Sequence, residues 1–503
     1  MRKFTVASGA LALLLAVTAC GSAGGTVAAG GDGGTLVLAA ALAAQPWDLA
    51  EAGLGDNIQY YEPVFDSLVR LNPQGDPEPY LATSWSYDST RTVLTMHLRT
   101  GVKFTDGTSL NAAAVRANLL HTETGSNEAA SMLKSITGVD AVNPTTVAIH
   151  LSAPDPDLVD SLGDVSGMIA SPKDLTAKNG PVGSGPYVLD ESATTPGSTY
   201  TYTRNPGYWN KKAFPFNKIV VETMTDATAR LNALMSGQVD WGRINTPDAS
   251  EAKSDGLKVE TQVDSIEGLY IWDRAGKIVP ALGNVKVRQA LNYAFNRSLI
   301  VSKLEDGYAT PTTQMFSPQS GIYASSLENT YSYDPAKARQ LLAEAGYPHG
   351  FTVTMPDVSS VAPDQQTYMT QALENIGIKV KIAPVPLTQL FTDLLAGKFA
   401  LSWFKLASYQ SWNLISTEFT PTSIWNPMQY STPTLNALID KAQKSSGAQQ
   451  TALYQQINTY VQQQAFNAPW DVLQAVFASS SKVQVTPQAF ESVVPIYNIK
   501  PAS

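Results

Sequence analysis

Residues Asp334–Phe351 read DPAKARQLLAEAGYPHGF. Aspartate followed by proline is a helix start: the carboxylate caps free amides, and proline is tolerated at the first helical position, where no amide is required. Gly346 ends that helix and Pro348 prevents its continuation. A strand is predicted over 351–355, a helix over 365–375, a strand over 378–382, a helix over 387–396 ending at Gly397, and a strand over 399–404. This β-α-β-α-β order with short loops predicts a parallel, right-handed α/β unit. Two further helices are predicted over 434–465. Working back toward the N-terminus, 284–307 predicts one long amphipathic helix with Ala290, Leu291, Ala294, Phe295 and Leu299 on one face. Residues 218–224 predict a strand, followed by a helix from Asp226 to Gly237. Residues 92–99 and 146–152 alternate as half-buried strands do, with a turn at Asp106-Gly107 and a helix from Asn111 between them. A strand-rich first half and an α/β second half give two lobes, and clefts between lobes are common small-molecule sites.

The 503 residues are 44% hydrophobic and 15% charged, with a formal net charge of −9. That is globular composition without the basic excess a nucleic-acid partner requires. Arg2 and Lys3 precede a short apolar run and the small residues before Cys20, which predicts a signal peptide over 1–19. The run is too short to span a bilayer. Val17-Thr18-Ala19-Cys20 resembles the lipobox of bacterial lipoproteins. The resemblance implies lipid attachment at Cys20, the only cysteine, and leaves no thiol for disulfides, metal sites or catalysis. The glycine-rich stretch to residue 34 is then a flexible tether, holding a globular body at the outer face of the cell membrane, or in the periplasmic space if a second membrane is present.

The motifs of catalysis are missing. His97, His121, His150 and His349 are not at metal-ligand spacing, so no metal site is expected. Asp155-Pro-Asp157 reads as a solvated turn rather than a paired-carboxylate site. No nucleophile-elbow motif occurs. Gly180–Tyr187, GPVGSGPY, lacks the lysine and the following helix of a phosphate loop, and Pro186 removes an amide donor. It reads as a constrained turn or crossing between lobes. No catalytic residue and no cofactor are predicted.

Several segments together resemble the family 5 extracellular solute-binding proteins, the peptide, dipeptide and nickel-type receptors of ATP-driven importers. They are Tyr61–Leu71 (YEPVFDSLVRL), Glu78–Trp85 (EPYLATSW), Val102–Thr108 (VKFTDGT), Pro181–Tyr187, Ala229–Asp240 (ARLNALMSGQVD), Val287–Arg297 (VRQALNYAFNR) and Asp334–Phe351. The resemblance implies an α/β fold of the periplasmic-binding-protein type II-like class, with two lobes and an extra subdomain inserted in lobe I. Lobe I would comprise 35–70, 182–265 and 476–503, the insertion 71–181, and lobe II 266–475. It implies a monomeric receptor that closes on a small solute, oligopeptide-like or uncharged and oligosaccharide-like, and delivers it to the permease subunits of an ABC importer. Peptide receptors of this family often carry W-x-A-D-Y, whose aspartate takes the peptide's α-amino group. Here Trp403 to Tyr409 reads WFKLASY, so Ser408 stands where that aspartate would, with two extra residues after Trp403. A buried ammonium requires a charged partner that serine lacks. The ligand-binding candidates on this reading are Trp403, Ser408, Tyr409, Trp412, Asn413, Trp425 and Asn426, with Asn57 and Tyr60 on the opposite lobe and Trp272 near the hinge. The alternatives are a secreted glycan or peptide hydrolase, for which no acid pair or nucleophile set is evident, and a ligand sensor without transport.

Overall fold

The computed structural model describes residues 33–502. The signal peptide, Cys20 and the tether as far as residue 32 lie outside the described residues. The predicted helix starts form as the capping argument requires. Asp334 accepts from the Lys337 amide ahead of Pro335–Glu344, Asn111 from Ala114 ahead of Ala112–Glu123, and Asp226 from Ala229 ahead of Ala227–Met235. Each such cap is worth about 1 kcal/mol.

A nine-stranded mixed sheet forms the backbone of the molecule. Its two longest strands, Lys258–Ile271 and Ala468–Ser479, run antiparallel from Lys258 opposite Ser479 to Leu269 opposite Ala468. On one side the far end of the 468–479 strand pairs with Trp241–Ile244, which continues into the parallel strands Thr35–Ala40 and Lys218–Thr223. On the other side the 265–271 end of the 258–271 strand pairs with Leu401–Ala407. The two strands therefore belong to both lobes. Their ladder is interrupted between Val263 and Ser265 and between Glu267 and Gly268. Gly268 is required there, because a Cβ would lie 2.6 Å from the Pro469 Cα.

Separate cores pack against the two ends. Leu36, Tyr60, Tyr202 and Trp241 are buried together with Val494 and Ile499, so the C-terminal residues close the same core as the first strand. In the second half, one core gathers around Trp272, Phe419 and Ile457 and another around Leu291, Phe295 and Trp470. A four-stranded antiparallel sheet over Ala82–Leu151 forms a third unit, with its own core, together with the 112–123 helix.

GPVGSGPY welds this third unit to the first core. The Gly185 and Tyr187 amides donate to the Val64 and Pro63 carbonyls, both at 2.8 Å. A Cβ at Gly183 or Gly185 would lie 2.0 or 2.5 Å from the Val64 backbone, so only glycine permits the approach. Ser184 Oγ donates to Asp66, which also accepts from Tyr80, Tyr208 and Trp209. Burial pushes the Asp66 carboxyl up, and its four donors pull it back.

Two sequence expectations are corrected. Thr352–Pro356 and Lys379–Ala383 form the expected parallel pair, but Leu401–Ala407 leaves it and pairs antiparallel with Ser265–Ile271. The long hinge strand offers that segment a full ladder. The helix expected over 284–307 is two helices, Val285–Tyr293 and Arg297–Lys303. Asn296 between them accepts from the Leu299 amide and starts the second, which leaves Leu299 exposed rather than on the shared face.

Candidate functional site

The second lobe meets the inserted unit in direct contact. Gln410 Nε2 donates to the Gly75 carbonyl at 3.0 Å. The Asn413 amide donates to Asp157 Oδ2 at 2.6 Å, and Asn413 Nδ2 lies 3.6 Å from Met132 Sδ. Gln443 Nε2 donates to the Pro154 carbonyl at 2.9 Å. The lobes are thus in contact, and the segment running from the end of the 401–407 strand into the short helix Ser411–Leu414 forms the meeting edge. That helix widens into a π-type turn over Ile415–Phe419. Such turns recur at functional sites because they re-aim side chains. A fully buried ion pair braces this one, Arg274 to Glu418 at 3.0 Å. Burial pushes the Glu418 carboxyl up to about 7, while Arg274 and Asn467 pull it back.

The candidates separate into two sets. Tyr409, Asn413 and Ser408 stand at the meeting edge. Tyr409 is half-buried and packs against the core around Trp272 and Phe419, and its phenol is pushed up by burial and by the charge of Glu128 on the inserted unit. Ser408 is buried, with Oγ on Ser317 Oγ at 2.8 Å and its amide on the Asp264 carbonyl at 2.9 Å. The remaining candidates are held within their lobes. Trp272 is fully buried, donates to Ser402 Oγ at 2.8 Å and stacks on Tyr270. Trp425 leans on Phe404, with centroids 5.0 Å apart, and Trp412 stacks on Tyr454. Asn426 organises its own loop through Thr420 and Tyr430. Trp403 Nε1 donates to Glu267. Tyr60 is fully buried, its hydroxyl bonded to the Leu42 carbonyl and Thr223. Asn57 is buried with its Oδ1 unpartnered.

Three features near the meeting edge have contacts that the sequence reading did not give. Gln410 bridges the lobes. Arg243 and Asp264 form an ion pair of 3.1 Å beside the Val263/Ser265 interruption, next to Ser408. Asp155-Pro-Asp157, read as a solvated turn, is instead a contact. Asp157 receives the lobe II amide, and Asp155 accepts from Ser135 Oγ at 2.7 Å. Its partner on the other lobe is remote in sequence, so no local pattern announces it.

The family model for "Bacterial extracellular solute-binding proteins, family 5 Middle" matches residues 76–423. The chain belongs to this family. Family 5 consists of extracytoplasmic substrate-binding proteins rather than enzymes, working with ABC permeases. The glutathione-binding protein GsiB of Escherichia coli strain K12 is 29% identical over 430 residues, covering 81% of this chain and 82% of that one. HbpA2 from Haemophilus parasuis superposes with a TM-score of 0.82 at 23% identity, over 93% of this chain and 100% of that one. The periplasmic binding protein DppA from Helicobacter pylori, in complex with the peptide STSA, gives 0.76 at 23% identity, over 94% and 99%. These likenesses establish the type II periplasmic-binding-protein fold of family 5. Among the described residues no helix is long and apolar enough to cross a membrane.

Proposed function

We propose that this family 5 protein is a lipid-anchored extracytoplasmic receptor. It would capture a peptide-like solute between its two lobes and hand it to an ABC permease. The observation that carries the reading is the pair of long strands shared by both lobes, with interruptions at 263–268, beneath an edge where Gln410 and Asn413 reach the opposite lobe. A solute bound at that edge favours the closed arrangement because it touches both sides. The division into 35–70, 182–265 and 476–503, with 71–181 inserted and 266–475 as the second lobe, fits the grouping of the cores. The lipid at Cys20 would keep the receptor beside its permease, and it would act as a monomer.

The peptide-like class is supported by GsiB, which binds glutathione, and DppA, which holds a peptide. The oligosaccharide alternative loses support because Trp272 and Trp412 stack on protein rings and Trp425 leans on Phe404. Ser408 leaves no carboxylate for an α-ammonium at its position. The test is calorimetry with glutathione, free dipeptides and their N-acetylated forms. The wild type is expected to bind the blocked or γ-linked compounds at least as well as free dipeptides. Ser408→Asp should shift the preference toward free amines by roughly tenfold or more, the scale of one charged hydrogen bond. Tight binding of free dipeptides that Ser408→Ala abolishes would refute the amine argument, and binding of no peptide would refute the class.

A further inference from the structure

The two hinge strands carry a second polar site that solute capture does not use. Glu267 and Asp471 stand directly opposite each other on the antiparallel pair. Glu305, just after the 297–303 helix, brings a third carboxylate, and one oxygen from each lies within 4.8 Å of the others. Like charges facing each other across a ladder are unfavourable, and burial makes them more so.

The three are held differently. Glu267 is fixed by two indoles, accepting from Trp403 Nε1 and from Trp470 Nε1 at 3.0 Å. Glu305 is half-buried and accepts from Gln365 Nε2 at 3.0 Å. Asp471 is fully buried, and neither of its carboxylate oxygens has a partner. A nearby cation, Arg297, does not supply one. Its guanidinium donates to the Thr312, Pro469, Asn292 and Tyr331 carbonyls and to Asn292 Oδ1. Lys405 stands opposite Glu267 on the neighbouring strand, but its side chain is exposed, and among the described residues it forms no ion pair with the three. A fully buried carboxylate with both oxygens free, aimed at two other carboxylates, lacks a positive partner.

We propose that Glu267, Glu305 and Asp471 bind a calcium-sized divalent cation between the hinge strands. Hard cations of this class take oxygen ligands only, at about 2.3–2.6 Å for Ca²⁺, so oxygens up to twice that distance apart can share one ion. Oxygens within 4.8 Å of one another meet that condition, and Mg²⁺, which keeps several waters, suits a site with two buried ligands less well. Water reaching the half-exposed Glu305 would complete the shell. The histidine and cysteine ligands whose absence argued against a transition-metal cage are not needed for such an ion.

The site carries its own reporter. Two indole N–H groups bond Glu267, so tryptophan excitation should sensitise a lanthanide bound beside them. The experiment titrates Tb³⁺ into the full chain after chelator treatment and reads tryptophan-excited emission, then competes with Ca²⁺ and with Mg²⁺. Saturable emission is expected, displaced by Ca²⁺ at least about tenfold more effectively than by Mg²⁺ given their different preferred geometries. Asp471→Asn and, separately, Glu305→Gln should each lower affinity for Tb³⁺ by about tenfold or more, as loss of one carboxylate ligand does. Glu305→Gln lies at the half-exposed member and guards against a misfolded Asp471 variant. In parallel, Ca²⁺ should raise the wild-type melting temperature and leave Asp471→Asn and Glu305→Gln unmoved. Emission that Ca²⁺ does not displace, equal emission from Glu305→Gln, or a wild-type melting temperature indifferent to Ca²⁺ would each overturn the proposal. So would an Asp471→Asn variant more stable than wild type in the presence of Ca²⁺, which would mark a shared proton in place of an ion.

Discussion

The molecule contains two groups of three carboxylates that meet opposite circumstances. Asp155, Asp157 and Asp160 sit at the rim, on the inserted unit, where the second lobe closes over them. Glu267, Glu305 and Asp471 sit at the hinge, inside lobe II and its strands. The rim group is half-exposed, and its surroundings change whenever the lobes part. The hinge group is largely sealed, with Glu267 and Asp471 buried. The same side chains therefore act at the rim as a load on closure and at the hinge as a load on folding. Asp66 shows a third arrangement, a single buried carboxylate satisfied by four donors.

The largest effect should come from breaking that satisfied case. Asp66→Ala leaves two tyrosine hydroxyls, an indole and a serine without their acceptor, and should destabilise the protein by about 3–5 kcal/mol in urea unfolding followed by circular dichroism. A loss near zero would mean that the four donors find other partners.

At the rim the comparison becomes a pH dependence. Burial pushes Asp157 up, followed by the charges of Asp160 and Asp155, while the Asn413 amide pulls it down. Asp160 is pushed up to about 7 by burial, Asp76 and Asp155. Tyr87, Tyr454 and Arg91 complete the surroundings. Opening the lobes hydrates these groups and lowers their pKa values, so the closed state binds more protons. The stability of closure they contribute is full below the open-state values and is lost as pH rises through about 7. Solute affinity should therefore weaken as pH rises from the ordinary carboxylate range, about 4, to about 7 and level off above it, by up to about fivefold given the screening of half-exposed groups. Asp157→Asn should flatten that profile while leaving the hinge response to Ca²⁺ intact. An unchanged profile would show that the rim stays hydrated on closure.

The smallest effect is expected at Gln410, whose bond to Gly75 is a single neutral contact across the rim. Gln410→Ala should weaken solute binding by about 0.5–1 kcal/mol, a two- to fivefold change in dissociation constant, with unfolding unaltered. A loss seen in stability as well would place Gln410 among the folding contacts instead.

Local chemistry was legible in the sequence. Asp334, Asn111 and Asp226 announce their helices because a cap acts within three residues. The antiparallel pairing of 401–407 was not legible, since it depends on a strand more than a hundred residues earlier. The break at 294–296 was hidden by apolar residues that continue the helical pattern on both sides. The resemblance of WFKLASY to the family pattern drew Ser408 and Tyr409 in, and they stand beside the edge where the lobes meet. Trp272 and Asn426 were drawn in by residue type alone, and type does not say which face of a lobe a ring or amide occupies. Asp157 was read as part of a solvated turn because its partner, the Asn413 amide, lies 256 residues away.

The ladder between Lys258–Ile271 and Ala468–Ser479 gives the lobes a shared spring rather than two loose linkers. Opening cannot be a free swing, because it must twist a continuous hydrogen-bonded ribbon whose softest points are its two interruptions. Elastic strain would then concentrate at residues 263–268. Their amide hydrogens should exchange fastest along the ribbon in the solute-free protein and slow on binding, while the amides toward both ends keep their pace.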